Sequence, residues 1–198
     1  MATISKTVGT SLISLQSLAA NSVVISSTID VSTKFAATIF MHFGRRATTA
    51  LTEGAELRIE ASAKSSGEGF WFPLSKFKTT VIASESEALT GTISAAATVL
   101  TLASTTNLAA GDKIYIDNGT IANSEWARIK AISANTSVTI EDALVNAQTG
   151  STIYDQAEMF VAQVDLTAIS RLRLVIDGSN TGQAVAVEAH IIVADSIG

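Results

Sequence analysis

The residues of this chain that could do metal or acid–base chemistry are few. His42 and His190 are the only histidines, and Glu188 lies two residues before His190. Two histidines and a glutamate can ligate zinc, and strand alternation would place Glu188 and His190 on one face. Nothing in the sequence makes the strands of the two histidines neighbours. We therefore interpret both as ordinary strand residues and expect no bound metal.

Motifs for nucleophilic catalysis and phosphate binding do not occur in the sequence. It contains no G-x-S-x-G elbow, no Walker motif and no G-x-G-x-x-G motif. Asp112, Asp117 and Asn118 lack the spacing of a calcium-binding EF-hand loop, and Asn118 followed by Gly119 is typical of a hairpin turn. The absence of cysteine excludes thiolate ligands and disulfides. We expect a protein that is not an enzyme and carries no cofactor.

Composition and charge exclude two further classes of partner. The 198 residues have a net charge of −5, and basic residues occur at most in pairs, such as Arg45 with Arg46 and Lys76 with Lys78. Nucleic-acid binding needs a basic surface, so we expect no nucleic-acid partner. No apolar run is long enough for a membrane span, and the N-terminus does not resemble a secretory signal. With 16% charged residues, we expect part of the surface to contact other chains.

The alternation of apolar residues predicts an all-β fold. Residues 34–43 alternate with apolar residues on both faces, which predicts a central strand. Residues 55–63 alternate cleanly between apolar and charged, which indicates one solvated face. Strands are also predicted at 171–176 and 184–193, and residues 1–20 favour an extended arm plus a strand. Many short strands without a helical period are typical of a sandwich or barrel.

The stretch 85–155 differs in character from the sequence on either side of it. It predicts a small inserted β module, barrel-like, whose few large apolar residues make it lean on its host or on a neighbouring subunit. Residues 1–84 and 156–198 then complete one discontinuous domain, a jelly-roll-like β-sandwich. Two consecutive domains with a C-terminal hairpin remain the alternative.

The sequence of the predicted module resembles a small β domain found in structural proteins of tailed bacteriophages. Gly111 with Asp112, Glu125 with Arg128, and the strand at 138–144 carry this likeness. The flanking sandwich resembles the jelly rolls of phage decoration, or cement, proteins. No catalytic residues come with this family.

The resemblance implies a virion structural protein, made in the host cytoplasm, that stabilises the outside of a capsid. Its partners would be the major capsid protein and copies of itself, commonly in a trimer. A neck, tail or fibre component of the virion is one alternative. A carbohydrate-binding β-sandwich module is a second.

Aromatic and basic residues outside the predicted core are the candidates for such contacts. The candidates are Phe70, Trp71, Phe72, Trp126, Arg128, Lys130, Arg45 and Arg46. The aromatic triplet at 70–72 either plugs an open end of the sandwich, which we favour, or anchors a neighbour. Trp126 lies on the opposite strand face from Ile129 and is expected to point at a partner. Arg45 and Arg46 are expected in a solvated loop, where they can pair with an acidic neighbour.

Overall fold

The protein is built almost entirely of antiparallel β-strands. The computed structural model describes residues 6–67 and 70–195, with side chains described from residue 9 onward. The only helix in this part of the chain is the single 3-10 turn Ile121–Asn123, and no described helix is long and apolar enough to cross a membrane. The described strands are β1 (Lys6–Leu18), β2 (Val23–Ile25), β3 (Ile29–Asp30), β4 (Lys34–Arg45), β5 (Glu56–Ser62), β6 (Phe72–Lys78), β7 (Ser86–Ala88), β8 (Thr92–Ile93), β9 (Val99–Thr101), β10 (Lys113–Asp117), β11 (Glu125–Ser133), β12 (Ser137–Ile140), β13 (Gln148–Thr149), β14 (Thr152–Tyr154), β15 (Glu158–Asp165), β16 (Arg171–Asp177) and β17 (Val185–Asp195).

Eight of these strands form a two-sheet sandwich with jelly-roll topology. One sheet, sheet A, has the order β1-β17-β4-β15, and the other, sheet B, has the order β2-β16-β5-β6. The short strand β3 also pairs with β16. Counting only the eight sandwich strands along the chain, the two orders are 1-8-3-6 and 2-7-4-5. This interleaving of early and late strands is the jelly-roll arrangement, so the predicted fold class is confirmed.

The sandwich core follows from the alternation read in the sequence. In β4 the side chains of Ala37, Ile39, Met41 and Phe43 are buried, and β4 lies between β17 and β15 as a central strand. Leu57 in β5 is fully buried, and its charged neighbours along the strand face outward. The two inner faces therefore meet in one apolar cluster.

A second group of strands, between β6 and β15, forms a separate curled sheet. Its order is β7-β14-β10-β11-β12-β9, with β8 and β13 paired beside it. The two ends of the sheet approach each other, because Leu89 forms a bridge with Leu102 and the Thr90 amide donates to the Thr101 carbonyl oxygen at 2.9 Å. This curled sheet, here called the module, encloses its own apolar cluster. The predicted division into domains 1–84 with 156–198, and 85–155, stays a prediction.

The structure differs from the predictions at the end of β4 and describes only part of the predicted N-terminal arm. Arg45 was expected in a loop, but it belongs to the end of β4 and is buried. That location was wrong because strand pairing with β17 extends as far as the pair Val185 and Arg45. In the predicted arm-plus-strand at 1–20, Lys6–Leu18 is strand β1, and residues 1–5 lie outside the described residues.

Candidate assembly surface

One side of the sandwich is formed by the terminal strands of both sheets. Strand β6 ends sheet B and β15 ends sheet A. The rings of Phe77 in β6 and Phe160 in β15 are in contact, with centroids 5.4 Å apart. The chain leaving β6 stays beside β15, because the Thr80 amide donates to the Glu158 carboxylate at 3.0 Å. We call this side, residues 70–84 and 158–165, the open flank.

The open flank carries most of the exposed apolar side chains. Twelve large hydrophobic side chains are exposed in the described part of the chain, and seven of them are on this flank. They are Phe70, Phe72, Leu74, Val81, Ile82, Met159 and Val161. Together they expose roughly 600 Å² of apolar surface, taking about 150–200 Å² for a whole side chain. This sum is comparable to the largest apolar patch that a typical monomer exposes, and such patches are often binding sites.

The aromatic triplet at 70–72 is divided between two roles. Phe70 and Phe72 are 63% and 61% exposed, so the expectation that they plug the core was wrong. Strand β6 is an edge strand with a register shift beside Pro73, and no described strand pairs with its outer edge. Trp71 is partly covered by the Arg173 guanidinium, 4.3 Å from its ring centroid. Phe70 and Phe72 are therefore available to another chain, whereas Trp71 packs within its own.

Arg45 holds the open flank in place from inside. Its guanidinium donates to the Thr80 carbonyl oxygen at 2.7 Å and contacts the Glu158 carboxylate at 3.4 Å. It also reaches the Ile82 carbonyl oxygen at 3.4 Å. Burial lowers the pKa of Arg45, and the nearby Glu158 opposes that shift. Because its side chain is 1% exposed, Arg45 ties residues 80–82 to β15 and is not on the surface.

Trp126 docks the module on the sandwich. Its indole Nε1 donates to the Glu188 carboxylate at 2.7 Å, and its ring stacks on His42 with centroids 5.4 Å apart. It also covers Gly44, where a Cβ atom would lie only 2.6 Å from Cζ3 of the indole. Trp126 therefore contacts the sandwich of its own chain, which corrects the expectation that it points at a partner. The strand spacing gave its face correctly, but the sequence does not show that the sandwich covers that face.

Two of the other basic candidates, Arg46 and Arg128, lie near the junction, which is the contact between the module and the sandwich around Trp126. Arg46 Nε donates to the Asp117 carboxylate at 2.8 Å and so joins β4 to the end of β10. Arg128 is exposed, with Nη1 3.4 Å from the Glu141 carboxylate on the module. Lys130 is also exposed. Whether Arg128 and Lys130 bind another chain stays a prediction.

Both histidines lie next to Glu188 at this junction, a placement that no pattern in the sequence predicted. Glu188 lies directly opposite His42 in the pairing of β17 with β4, and its other carboxylate oxygen is 3.0 Å from His190 Nε2. Burial lowers the pKa of His42, and the adjacent Glu188 carboxylate partly opposes this. Among the described residues, no group of three or more His, Cys, Asp or Glu side chains is arranged so that it could hold a metal ion.

A cleft of about 330 Å³ opens between the module and the sandwich beside this cluster. Its walls include His42 and Trp126 from the junction, Arg128 from the module and Met159 from β15. Met159 therefore lines the cleft and also belongs to the open flank. Met159 and Val161 were not among the predicted contact residues. A signal for them exists in the sequence, because residues 159 to 164 are uncharged on both faces of the strand.

The matches of this chain to known proteins are distant. No protein-family model and no curated protein matches the chain. Among solved structures, the SPBc2 prophage-derived protein YomS aligns over 98% of this chain and 97% of its own at 11% identity, with a TM-score of 0.33. The VP16–VP17 complex, of the two major capsid proteins of bacteriophage P23-77, aligns over 98% and 99% at 13% identity, with a TM-score of 0.21. At these TM-scores neither likeness carries an argument about function.

Proposed function

We propose that the protein is a non-enzymatic structural protein of a bacteriophage virion that acts by binding other protein chains through the open flank. The observation that carries the proposal is the concentration of seven exposed apolar side chains on that one flank. The apolar core of a protein–protein interface has this composition. The jelly-roll fold agrees with a virion role but does not decide it, since many functions use this fold.

Within that class, we favour a decoration protein on the outside of the capsid. The resemblance of the module sequence, at Gly111 with Asp112 and Glu125 with Arg128, supports this assignment. The major capsid protein would be the main partner, and self-association would add contacts whose combined effect exceeds each one alone. A neck, tail or fibre position uses the same flank and is the alternative.

The carbohydrate-binding alternative receives no support from the two tryptophans. Such a module needs an exposed aromatic platform on which a sugar ring can stack. Trp71 is partly covered by Arg173, and Trp126 is covered by His42 and hydrogen-bonded to Glu188.

The test is to purify particles from the source strain on a density gradient and identify their proteins by mass spectrometry. We expect this chain in the particle fraction, with a copy number close to that of the major capsid protein if it decorates the capsid. A far lower copy number, with density at one vertex, would favour the neck or tail. Particles that lack the chain would overturn the proposal.

A matched pair of variants tests the role of the flank. Phe72→Asp, on the flank, should reduce incorporation into particles, because it places a charge in the apolar contact. Val145→Asp, at a site on the module that is 78% exposed, should leave incorporation unchanged. Equal incorporation of both variants would contradict a docking role for the flank.

A further inference from the structure

The free edge of β15 differs from the other sandwich edges that the structure describes. Natural sheets protect their edges with short strands, bulges, proline or lysine. At the other edge of sheet A, β1 has three register shifts. In sheet B, β2 is three residues long, and β6 has a register shift, Pro73, Lys76 and Lys78. Strand β15 has eight residues, pairs with β4 without a register shift, and has no charge between its terminal acids.

The backbone of β15 has hydrogen-bonding groups that point away from its own sheet. Just beyond the strand, the Leu166 amide donates to the Phe35 carbonyl oxygen at 3.1 Å, in the same register as the pairing of β15 with β4. Hydrogen-bonded positions alternate in an antiparallel pair. The amides and carbonyls of Met159, Val161 and Gln163 therefore face the free edge. Among the described residues, no backbone group bonds to them.

The side chains at these positions suit a strand partner. Met159 and Val161 are 41% and 46% exposed and lie on the outer face of sheet A, while Phe160 and Ala162 face the core. An eight-residue strand that has one free backbone edge and apolar side chains on both faces is a template for strand addition.

We propose that this edge pairs with β15 of a second copy of the chain, antiparallel, about a twofold axis at Val161. In this register Val161 lies opposite Val161 of the second copy, and Met159 lies opposite Gln163 of the second copy. No like charges meet, since Glu158 lies opposite Val164 of the second copy. The pairing supplies about six backbone hydrogen bonds and joins the two four-stranded sheets into one continuous sheet.

The second copy is the occupant that the dimensions of the flank favour. An isologous contact places the same patch on both partners, so the roughly 600 Å² of apolar flank surface is available on each side. A stable interface buries about 800 Å² per partner, of which roughly 60% is apolar. The edge pairing places the two flanks side by side, and their exposed apolar side chains are the surface from which the rest of the contact is drawn. In this pairing the partner of the open flank is a second copy of the chain, so the inference rests on the proposed function of that flank. Its twofold symmetry gives a dimer, whereas the resemblance implied a trimer.

The first experiment measures the mass of the purified full chain in solution by sedimentation velocity across the micromolar range. We expect a dimer for the natural sequence. Val161→Lys should shift it to monomer, weakening association by at least about tenfold, because two lysines meet at the axis. Val99→Lys is the matched control, since Val99 is also an exposed strand valine, at 47% compared with 46% for Val161. A monomeric or trimeric natural chain, or equal dimerisation of the two variants, would overturn the proposal.

A cross-linking experiment tests the register and does not depend on a variant that disrupts the contact. The chain has no cysteine, so Val161→Cys introduces a single thiol. Directly opposite hydrogen-bonded residues have Cα atoms about 5.5 Å apart, within the range of a disulfide. We expect rapid oxidation to a covalent dimer, with Val99→Cys staying monomeric. Equal cross-linking of both would contradict the pairing, whereas a dimer that is missing from particles would refute only the virion role.

Discussion

Substitution of Gly44 by alanine directly tests how the module docks on the sandwich. A Cβ atom at Gly44 would lie 2.6 Å from Cζ3 of Trp126 and 2.9 Å from Cβ of Tyr115. Both distances are shorter than real Cβ contacts, so one of the neighbours must shift. Tyr115 is fully buried, and its Cβ moves only with the backbone of β10. Trp126 is held by Glu188 at 2.7 Å. Neither neighbour can therefore move without losing packing or a hydrogen bond.

The expected loss of stability for Gly44→Ala follows from two opposing effects. Overpacking a well-packed site costs about 1–3 kcal/mol. Replacing glycine by alanine also restricts the unfolded chain, which stabilises the native state by about 0.4–1 kcal/mol where the site tolerates a Cβ. The net effect is a loss of roughly 1–2 kcal/mol, which lowers the melting temperature by roughly 2–8 °C for a chain of this size.

Gly9→Ala provides the matched control, since Gly9 is also a strand glycine of sheet A. Its Cβ would lie 3.5 Å from Cγ1 of Ile192, an ordinary contact, so we expect unchanged or slightly raised stability. Thermal unfolding followed by tryptophan fluorescence measures both variants. In a Trp126→Ala background the cost of Gly44→Ala should fall, although the contact with Tyr115 remains. Equal melting temperatures for Gly44→Ala and Gly9→Ala would refute the docking geometry.

Three further predictions concern buried polar groups. Burial lowers the pKa of His42 below its ordinary 6.5, so the folded state favours the neutral ring. The contribution of His42 to the free energy of unfolding should therefore be complete above pH 6.5 and fall as the pH drops below it. In urea titrations between pH 7 and 5, His42→Gln should reduce that slope, and an unchanged slope would contradict the assignment. Arg45→Met should cost about 3–5 kcal/mol in urea unfolding, because Glu158 loses its buried cation; Glu158→Gln should restore part of the loss, and no rescue would count against the pair. Trp126→Phe should cost about 1.5–3 kcal/mol, because Glu188 loses a hydrogen bond from the indole; a melting temperature equal to that of the natural chain would show that this bond adds nothing.

The sandwich strands could be predicted from the sequence because alternation is a local signal. Residues 34–43 were predicted as a central strand, and β4 runs over Lys34–Arg45 between two neighbours. The predicted strand ended before Arg45, because a pair of charged residues usually marks the point where a strand leaves the sheet for the surface. The partners that satisfy Arg45, Thr80 and Glu158, lie 35 and 113 residues further along the chain. No local pattern reports such a contact.

The junction of the module with the sandwich could not be predicted from the sequence, because it too depends on contacts between residues that are distant along the chain. Spacing placed Trp126 on the outward face of its strand, which is correct for the module taken alone. The sandwich covers that face through His42, Gly44 and Glu188, from two strands that are distant in the sequence. An exposed aromatic residue and one that docks on another part of the chain have the same alternation pattern, so only the tertiary structure distinguishes them.

A comparison of strands β4 and β15 shows which apolar surface the fold leaves exposed. Both have apolar residues on their two faces, and the sequence makes them look alike. In β4 the strands β17 and β15 satisfy both backbone edges, and the module covers the outer face at His42 and Gly44. In β15 only one edge is paired, and Met159 and Val161 stay exposed. The module covers part of the outer face of β4, whereas β15 has a free edge and exposed side chains, which is where we propose that a second molecule binds. The assembly contact is therefore expected at β15, the strand whose outer edge the fold leaves open.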